Sequence, residues 1–271
     1  MSRQDCGMRI AQITDTHMRA RGELWKGRVD PAATLARLVA ALNRIGPDLV
    51  VHTGDVADSA DREDGAPQYA VAADILSGLK APLRLLPGNH DTRAGLGAAF
   101  GRPGDGFLGF SEEARGLRLV GLDTLEPGRT GGRLCADRLK LLEAVPQGGP
   151  VLIFMHHPPC PMGLPFMDGF PFEGGAALAR AIAGREVLRI ACGHVHADVE
   201  RHWAGTLVSA APAASAQLPV DLPAFAESPR GLPAGFTVEP LRIRLHDWDG
   251  ATLTVKTVMV EAVEGPFPFP P

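Results

Sequence analysis

Met8-Arg9-Ile10-Ala11-Gln12-Ile13-Thr14-Asp15-Thr16-His17 is the stretch on which the fold turns. Its apolar run predicts a buried strand over residues 8–14, which leaves Asp15 at the C-terminal end. Working outward, Asp30-Pro31 opens a helix, since Asp caps well and Pro suits the first helical position. The Ala/Leu-rich segment that follows runs to Ile45, where Gly46-Pro47 stops it. Residues 48–53 form a second apolar strand that ends at Gly54-Asp55. Residues 67–78 have helical spacing, with Val71, Ile75 and Leu79 on one side, and residues 83–86 form a third strand ending at Pro87-Gly88-Asn89. This rhythm predicts a right-handed βαβαβ unit with a parallel sheet. Such sheets place their sites beyond the carboxyl ends of the strands, where each of these strands delivers a polar residue.

The second half is richer in β-structure. Residues 106–110 and 117–122 are expected to pair as strands, with helices over 136–145 and 174–183. Strands over 150–155 and 187–192 lead into His156 and Gly193-His194. Further strands are expected at 207–210, 241–245 and 252–260, with the turn signal Asp249-Gly250 between the last two. Residues 211–235 are rich in Ala and Pro and read as a long surface loop, or as a cap over the site or an arm at a subunit interface. The Pro/Phe-rich tail from Pro266 cannot form a helix.

Five motifs each end an apolar run: Asp15-Thr16-His17, Gly54-Asp55, Gly88-Asn89-His90-Asp91, His156-His157 and Gly193-His194-Val195-His196. Six of the nine histidines lie in them. Together the motifs supply carboxylate, amide and imidazole groups enough to hold two hard or borderline divalent metals. His52, His202 and His246 lie outside and read as ordinary strand or surface residues; Trp25, Trp203 and Trp248 read as packing residues, Trp25 also as a wall of the pocket. A net charge of -4 argues against a general nucleic-acid binder, and 45% apolar with 21% charged residues is ordinary for a globular protein. The four cysteines show no C-x-x-C spacing, and no apolar stretch approaches the ~18 residues of a membrane span. With no h-region after Met1, the expectation is a cytoplasmic protein.

The motif set resembles the calcineurin-like metallophosphoesterase superfamily, whose pattern is D-x-H, G-D, G-N-H-D/E, H and G-H-x-H. The resemblance covers residues 8–203 and is nearest to the bacterial glycerophosphodiesterases and class III cyclic-nucleotide phosphodiesterases. It implies a four-layer α/β/β/α sandwich of two mixed sheets flanked by helices. It implies a catalytic core over 1–205, with 206–271 forming the Pro/Ala-rich loop and a hairpin that completes the sheet. One metal would be held by Asp15, His17, Asp55 and His196, the other by Asp55, Asn89, His156 and His194, with Asp55 bridging. The metals would be Mn, Fe, Zn or Co. His90 would be catalytic, with Asp91 orienting its ring, and Asn89, His90, His157 and His196 would face the substrate. Asp58 reads as a supporting carboxylate. The basic run Arg19, Arg21, Lys26 and Arg28 reads as a solvated surface or as a rim that attracts an anion.

The implied activity is hydrolysis of a small phosphodiester by a metal-activated hydroxide, with glycerophosphodiesters and cyclic nucleotides as candidate substrates. A phosphomonoesterase, a pyrophosphatase and a non-catalytic scaffold on the same fold are the alternatives. Neither a nucleic-acid polymer nor a membrane is expected as a partner; a homo-oligomer, dimer or larger, is. Purple acid phosphatases use a tyrosine metal ligand, whereas Tyr69, the sole tyrosine here, falls in a predicted helix away from every motif.

Overall fold

Alternation along the central strands decides how the layers stack. In β1 (Met8–Ile13), Ile10 packs toward one side while Ala11 and Ile13 pack toward the other. In β6 (Pro150–Met155), Leu152 and Phe154 split in the same way from Val151, Ile153 and Met155. Side chains alternate across a strand, so a sheet covered on both faces needs apolar residues at consecutive positions. The computed structural model describes residues 7–59, 65–102, 106–218 and 235–260.

The first sheet has the order β11-β10-β1-β2-β3. Its parallel part is β1, β2 (Leu49–His52) and β3 (Leu83–Leu85), linked through α1 (Pro31–Ile45) and α2 (Gly65–Leu76). β10 (Arg242–Trp248) runs antiparallel to β1, and β11 (Leu253–Met259) antiparallel to β10. The second sheet has the order β4-β5-β6-β7-β9-β8. Here β5 (Leu117–Leu122), β6, β7 (Glu186–Cys192) and β9 (Thr206–Ala210) are parallel, with antiparallel edges β4 (Phe110–Ala114) and β8 (Val199–Trp203). α3 (Arg93–Ala99) packs with the helices of the first sheet, and α4 (Ala136–Glu143), α5 (Pro165–Asp168) and α6 (Gly175–Ile182) follow strands of the second.

Three apolar clusters make the four layers. Leu35, Leu38 and Leu42 of α1 and Tyr69 and Ala72 of α2 pack on one face of the first sheet. Ile10, Val51 and Trp248 of the first sheet meet Phe110, Leu119 and Phe154 of the second. Leu139 and Leu142 of α4 and Leu178 and Ile182 of α6 cover the second sheet's outer face. This is the α/β/β/α sandwich, with two mixed sheets.

α1 begins and ends where its signals lie. Asp30 accepts from the Ala33 amide at 3.0 Å, Pro31 opens the helix, and Gly46 closes it at φ 64°. Asp249 likewise accepts from the amides of Ala251 and Thr252 in the β10–β11 turn. Elsewhere the expectations need correction. The strand set at 106–110 begins only at Phe110, because Arg115 (φ 51°) and Gly116 (φ 76°) make a two-residue turn that fixes the pairing of β4 with β5. α3 was not expected; it is capped by Thr92, whose hydroxyl accepts from Gly95. Nor was β8, an edge strand of mostly polar residues with no apolar run to mark it. Of the stretch read as a surface loop, a cap over the site or an interface arm, residues 211–218 pack against the site, with Ala211, Ala214, Ser215 and Ala216 buried and the amides of Ala214 and Ser215 donating to the carbonyls of Thr14 and Asp15. The rest of that stretch, 219–234, and the tail from Pro266 lie outside the described residues.

Candidate metal centre

Parallel strands bring their carboxyl ends to one edge, and five of them converge there. β1 delivers Asp15 and His17, β2 delivers Asp55, β3 delivers Asn89 and His90, β6 delivers His156, and β7 delivers His194 and His196. Of the eight non-glycine residues with positive φ among the described residues, five are Asp15, His17, Asp55, His194 and His196. Each such conformation costs about 1–3 kcal/mol and persists only where its surroundings hold it. Here they do: the Asp15 amide donates to the Gly54 carbonyl, the His17 amide to Asp55, and the His194 amide to the Asp15 carboxylate. The loops also pack too tightly for a side chain at two glycines. A Cβ on Gly54 would lie 2.5 Å from His156 Nδ1, and one on Gly88 would collide with the Asp55 carboxylate.

The donor atoms fit divalent cations. His156 Nδ1 faces the Thr53 carbonyl at 2.7 Å. A carbonyl only accepts, so Nδ1 carries the hydrogen and Nε2 of the neutral ring is a lone pair. That lone pair faces Asp55 Oδ2 at 3.3 Å and Asn89 Oδ1 at 3.2 Å. His196 repeats the device: Nδ1 donates to the Ala216 carbonyl at 2.8 Å, and Nε2 faces His17 Nε2 at 3.0 Å and Asp15 Oδ1 at 3.5 Å. His17 Nδ1 lies 3.3 Å from Asp58 Oδ1 but off the line of a hydrogen bond. Acceptors turned on acceptors in a buried site repel unless a proton or a cation lies among them. Within 4.8 Å stand the sets Asp15, His17, His196 and Asp15, Asp55, His156. Asp55 reaches toward both, with Oδ2 3.3 Å from His156 Nε2 and 3.7 Å from His17 Nε2.

The electrostatics follow from burial and crowding. Burial alone would lower the His156 pKa, but the Asp55 carboxylate beside it outweighs that and lifts it to about 9, so without a metal a proton sits on Nε2, in the place a cation would take. Burial would raise Asp55, yet His156, His90 and His17 hold it well below the usual carboxylate range. His17 is raised, its burial outweighed by Asp58, Asp55 and Asp15. His194 and His196 are lowered, chiefly by burial, and so are neutral imidazoles suited to bind a metal.

The remaining expected residues lie close by but in different settings. His90 borders the cavity, and its Nδ1 is held by the main-chain carbonyl of Asp58. The expectation that Asp91 orients that ring is corrected: its buried carboxylate accepts from the amides of Gly88, Val56 and Ala57 and from the Tyr69 hydroxyl. Tyr69 is therefore not remote from the motifs, because α2 turns its side chain down onto the Asn89-His90-Asp91 loop. His157 is buried, its two ring nitrogens on Thr124 Oγ1 and the Thr130 carbonyl. His52, read as a strand residue rather than a ligand, ends β2; its Nδ1 accepts from the Gly54 amide, and Nε2 meets Thr16 Oγ1 at 3.1 Å. Of the basic run, Arg19 pairs with Asp58 and Glu23 and Arg21 with Asp74, while Lys26 borders the cavity. Residues 211–218 were missed as site elements. The Ala216 carbonyl sets the His196 tautomer, and no side-chain motif signals a carbonyl.

Residues 8–198 match the calcineurin-like phosphoesterase family model, and the chain belongs to that family. It is 32% identical to a probable glycerophosphodiester phosphodiesterase of Arcobacter nitrofigilis, covering 97% of both chains. It is 37% identical to a probable cyclic nucleotide phosphodiesterase of Rhodopseudomonas palustris over 73% of this chain and 75% of that one. Among solved structures, a dimetal phosphatase from Danio rerio superposes with a TM-score of 0.61 at 15% identity, covering 94% of this chain and 99% of that one, a likeness of fold. Among the described residues no helix is long and apolar enough to cross a membrane.

Proposed function

We propose that this chain hydrolyses small phosphodiesters at a pair of divalent metals held by Asp15, His17, Asp55, Asn89, His156, His194 and His196. The single observation that carries this reading is the convergence of lone pairs at Asp55: two imidazole Nε2 atoms and an amide oxygen gather around or beside one buried carboxylate. With oxygen and nitrogen donors only, the site suits Mn, Fe, Zn or Co. When bound, such a pair supplies Lewis-acid charge and a nucleophile at neutral pH.

The protein's own contribution is positioning. Asp55 Oδ1 accepts from the His90 amide at 2.8 Å, so the carboxylate and the catalytic loop are tied together. His52 and Thr16 tie the loop of Asp15 to that of Asp55, since the Thr16 hydroxyl also donates to the Val56 carbonyl at 3.0 Å. The Asp58 carbonyl orders the His90 ring through Nδ1, and the imidazolium form of that ring gives its Nε2 proton to the departing ester oxygen. Asn89 places its amide oxygen beside His156. The substrate's phosphate sits in the cavity of about 410 Å³ that Asp55, Asn89 and His90 border. The names of the two relatives support a diester over a monoester as substrate.

Metal-stripped protein, reloaded separately with Mn, Fe, Zn or Co, is assayed on bis(p-nitrophenyl) phosphate and p-nitrophenyl phosphate. Metal-dependent turnover that favours the diester is expected. Turnover of the monoester alone would move the assignment to a phosphatase, and stoichiometric metal binding without turnover would refute the enzymatic reading.

A further inference from the structure

From Ile10 to Ile13, β1 is apolar except at Gln12, and that side chain is only 1% exposed. It shares a face with Ile10, which packs between the two sheets. A buried amide costs free energy unless its donors and its acceptor are satisfied. Here they are. Gln12 Nε2 donates to the Cys192 carbonyl at 2.9 Å and to Thr53 Oγ1 at 3.0 Å. A carbonyl only accepts, so Cys192 settles which end of the amide is the NH₂. Oε1 then faces His246 Nε2 at 3.1 Å, and that nitrogen carries the hydrogen.

Two of these three partners adjoin the metal donors. Thr53 follows β2 and lies two residues before Asp55; its carbonyl is the group that His156 Nδ1 faces. Cys192 ends β7 and lies two residues before His194. The sheets touch there, because a Cβ on Gly193 would collide with Thr14 Oγ1. Asp15, His17, Asp55 and Asn89 follow strands of the first sheet, whereas His156, His194 and His196 follow strands of the second. The sets Asp15, His17, His196 and Asp15, Asp55, His156 each draw on both sheets. The gap between the sheets at this edge therefore sets the distances between donors. Metal–donor distances tolerate changes of only about 0.2 Å. An N–H···O bond holds its ends at about 2.7–3.2 Å, whereas apolar contacts alone have no such directionality.

We propose that Gln12 is a positioning residue for the metal pair. Its amide clamps the end of β7 to the ends of β1 and β2, and so holds His194 and His196 at the separation from Asp15 and Asp55 that the cations require. His246 completes the clamp by occupying Oε1, which keeps both N–H groups on Thr53 and Cys192. The proposal rests on the metal-centre reading above and adds to it a residue that is not itself a ligand.

The test compares wild type with Gln12→Met, Gln12→Glu and Ile10→Ala. Calorimetry titrates metal-free protein with Mn, and in a second series with Zn; urea unfolding of the same metal-free samples reads stability. Gln12→Met keeps the length of the side chain but has no donor, so the Cys192 carbonyl loses its partner. It is expected to weaken binding of at least one metal by about tenfold or more. In Gln12→Glu, burial favours the neutral carboxyl, which keeps one O–H donor and an oxygen for His246. Its loss of affinity is expected to be smaller than that of Gln12→Met. Ile10→Ala removes apolar volume from the same face of the same strand. It is expected to lower the urea midpoint at least as far as Gln12→Met, yet to leave metal affinity within about twofold of wild type. Wild-type affinities in both Gln12 variants would overturn the proposal. So would an equal weakening in Ile10→Ala, because the effect would then be a general loss of stability. Should Gln12→Met fail to fold, Gln12→Glu against Ile10→Ala decides by the same two readings. A wild-type protein that binds no pair of metals would defeat the metal-centre reading and the proposal with it.

Discussion

Replacing Asp91 with Asn separates two accounts of the motif Gly88-Asn89-His90-Asp91. If Asp91 oriented the His90 ring, the variant would bind metal and fold normally but turn over slowly. The hydrogen bonds point elsewhere. Oδ1 accepts from Ala57 N at 3.0 Å and Tyr69 Oη at 3.0 Å; Oδ2 accepts from Val56 N at 3.1 Å and Gly88 N at 2.9 Å. The carboxylate thus joins the loop after β2, which carries Asp55, to the loop after β3, which carries Asn89. An amide can present only one oxygen to these four donors. Its NH₂ must face at least one buried amide N–H, leaving that donor unsatisfied, and the Tyr69 hydroxyl can turn only if it gives up its own donation. One orphaned donor and one weakened charged bond cost roughly 3–5 kcal/mol together. Part is returned. Burial, and then the charge of Asp55, hold the Asp91 carboxyl pKa above its ordinary value. A carboxyl with a raised folded pKa loses stability as pH rises through that value, and a neutral amide escapes this loss. The net expectation at neutral pH is a destabilisation smaller than that sum. It would be read as a shift of the urea midpoint of metal-free protein at unchanged slope. Calorimetric titration should also show weaker binding of at least one metal, since both loops carry donors. An Asp91→Asn protein with wild-type midpoint and metal affinity but a slowed chemical step would refute this account and restore the ring-orienting one.

Three further expectations follow from the same geometry. Asp55→Ala should abolish stoichiometric binding of the metal pair, measured by elemental analysis after dialysis, because its carboxylate lies within 3.7 Å of both His17 and His156; retention of two metals with activity would remove it from its bridging place. His90→Ala should keep both metals while kcat falls by about 10²–10⁴, so a loss of metal instead would show its ring to be a ligand. His246 is buried between the sheets, on Gln12 and edge-on to Phe154, and burial chiefly holds its pKa far below the ordinary value. Its depressed folded pKa means stability that is full above the unfolded pKa of about 6.5 and lost as pH falls below it, about 1.4 kcal/mol between pH 7.5 and 5.5. Urea unfolding of metal-free His246→Gln at these two pH values should show a pH effect smaller than wild type by that amount, and an equal pH effect in both proteins would show that His246 does not carry it.

Much of this molecule was legible in its amino-acid order because the determining forces are local. The apolar runs of β1, β2, β6 and β7 mark strands buried on both faces, and Asp30-Pro31 and Gly46 mark the ends of α1 through their own main-chain preferences. The donor motifs follow those strands and β3 directly, so predicting the strands also placed Asp15, Asp55, Asn89, His156 and His194 at one edge. Where no apolar run existed, as in β8, or where a two-residue turn shifted a strand, as in β4, the pattern carried no such signal.

Tertiary structure alone decided how the donors are tuned and what surrounds them. The tautomers of His156 and His196 depend on the carbonyls of Thr53 and Ala216, and every residue has a carbonyl, so none announces its role. Asp91 could not be told from a ring-orienting partner of His90 until Tyr69, brought from α2, was seen to meet it. Trp25 and Phe236 are far apart along the chain and Phe166 and Phe170 lie on another excursion, yet all four border one cavity. The layered fold and the chemistry of the donor atoms were already set in the amino-acid order, because periodicity and side-chain type are properties of the chain. The protonation pattern, the loop bracing and the aromatic walls arise from contacts between distant segments, and only the folded molecule brings those segments together.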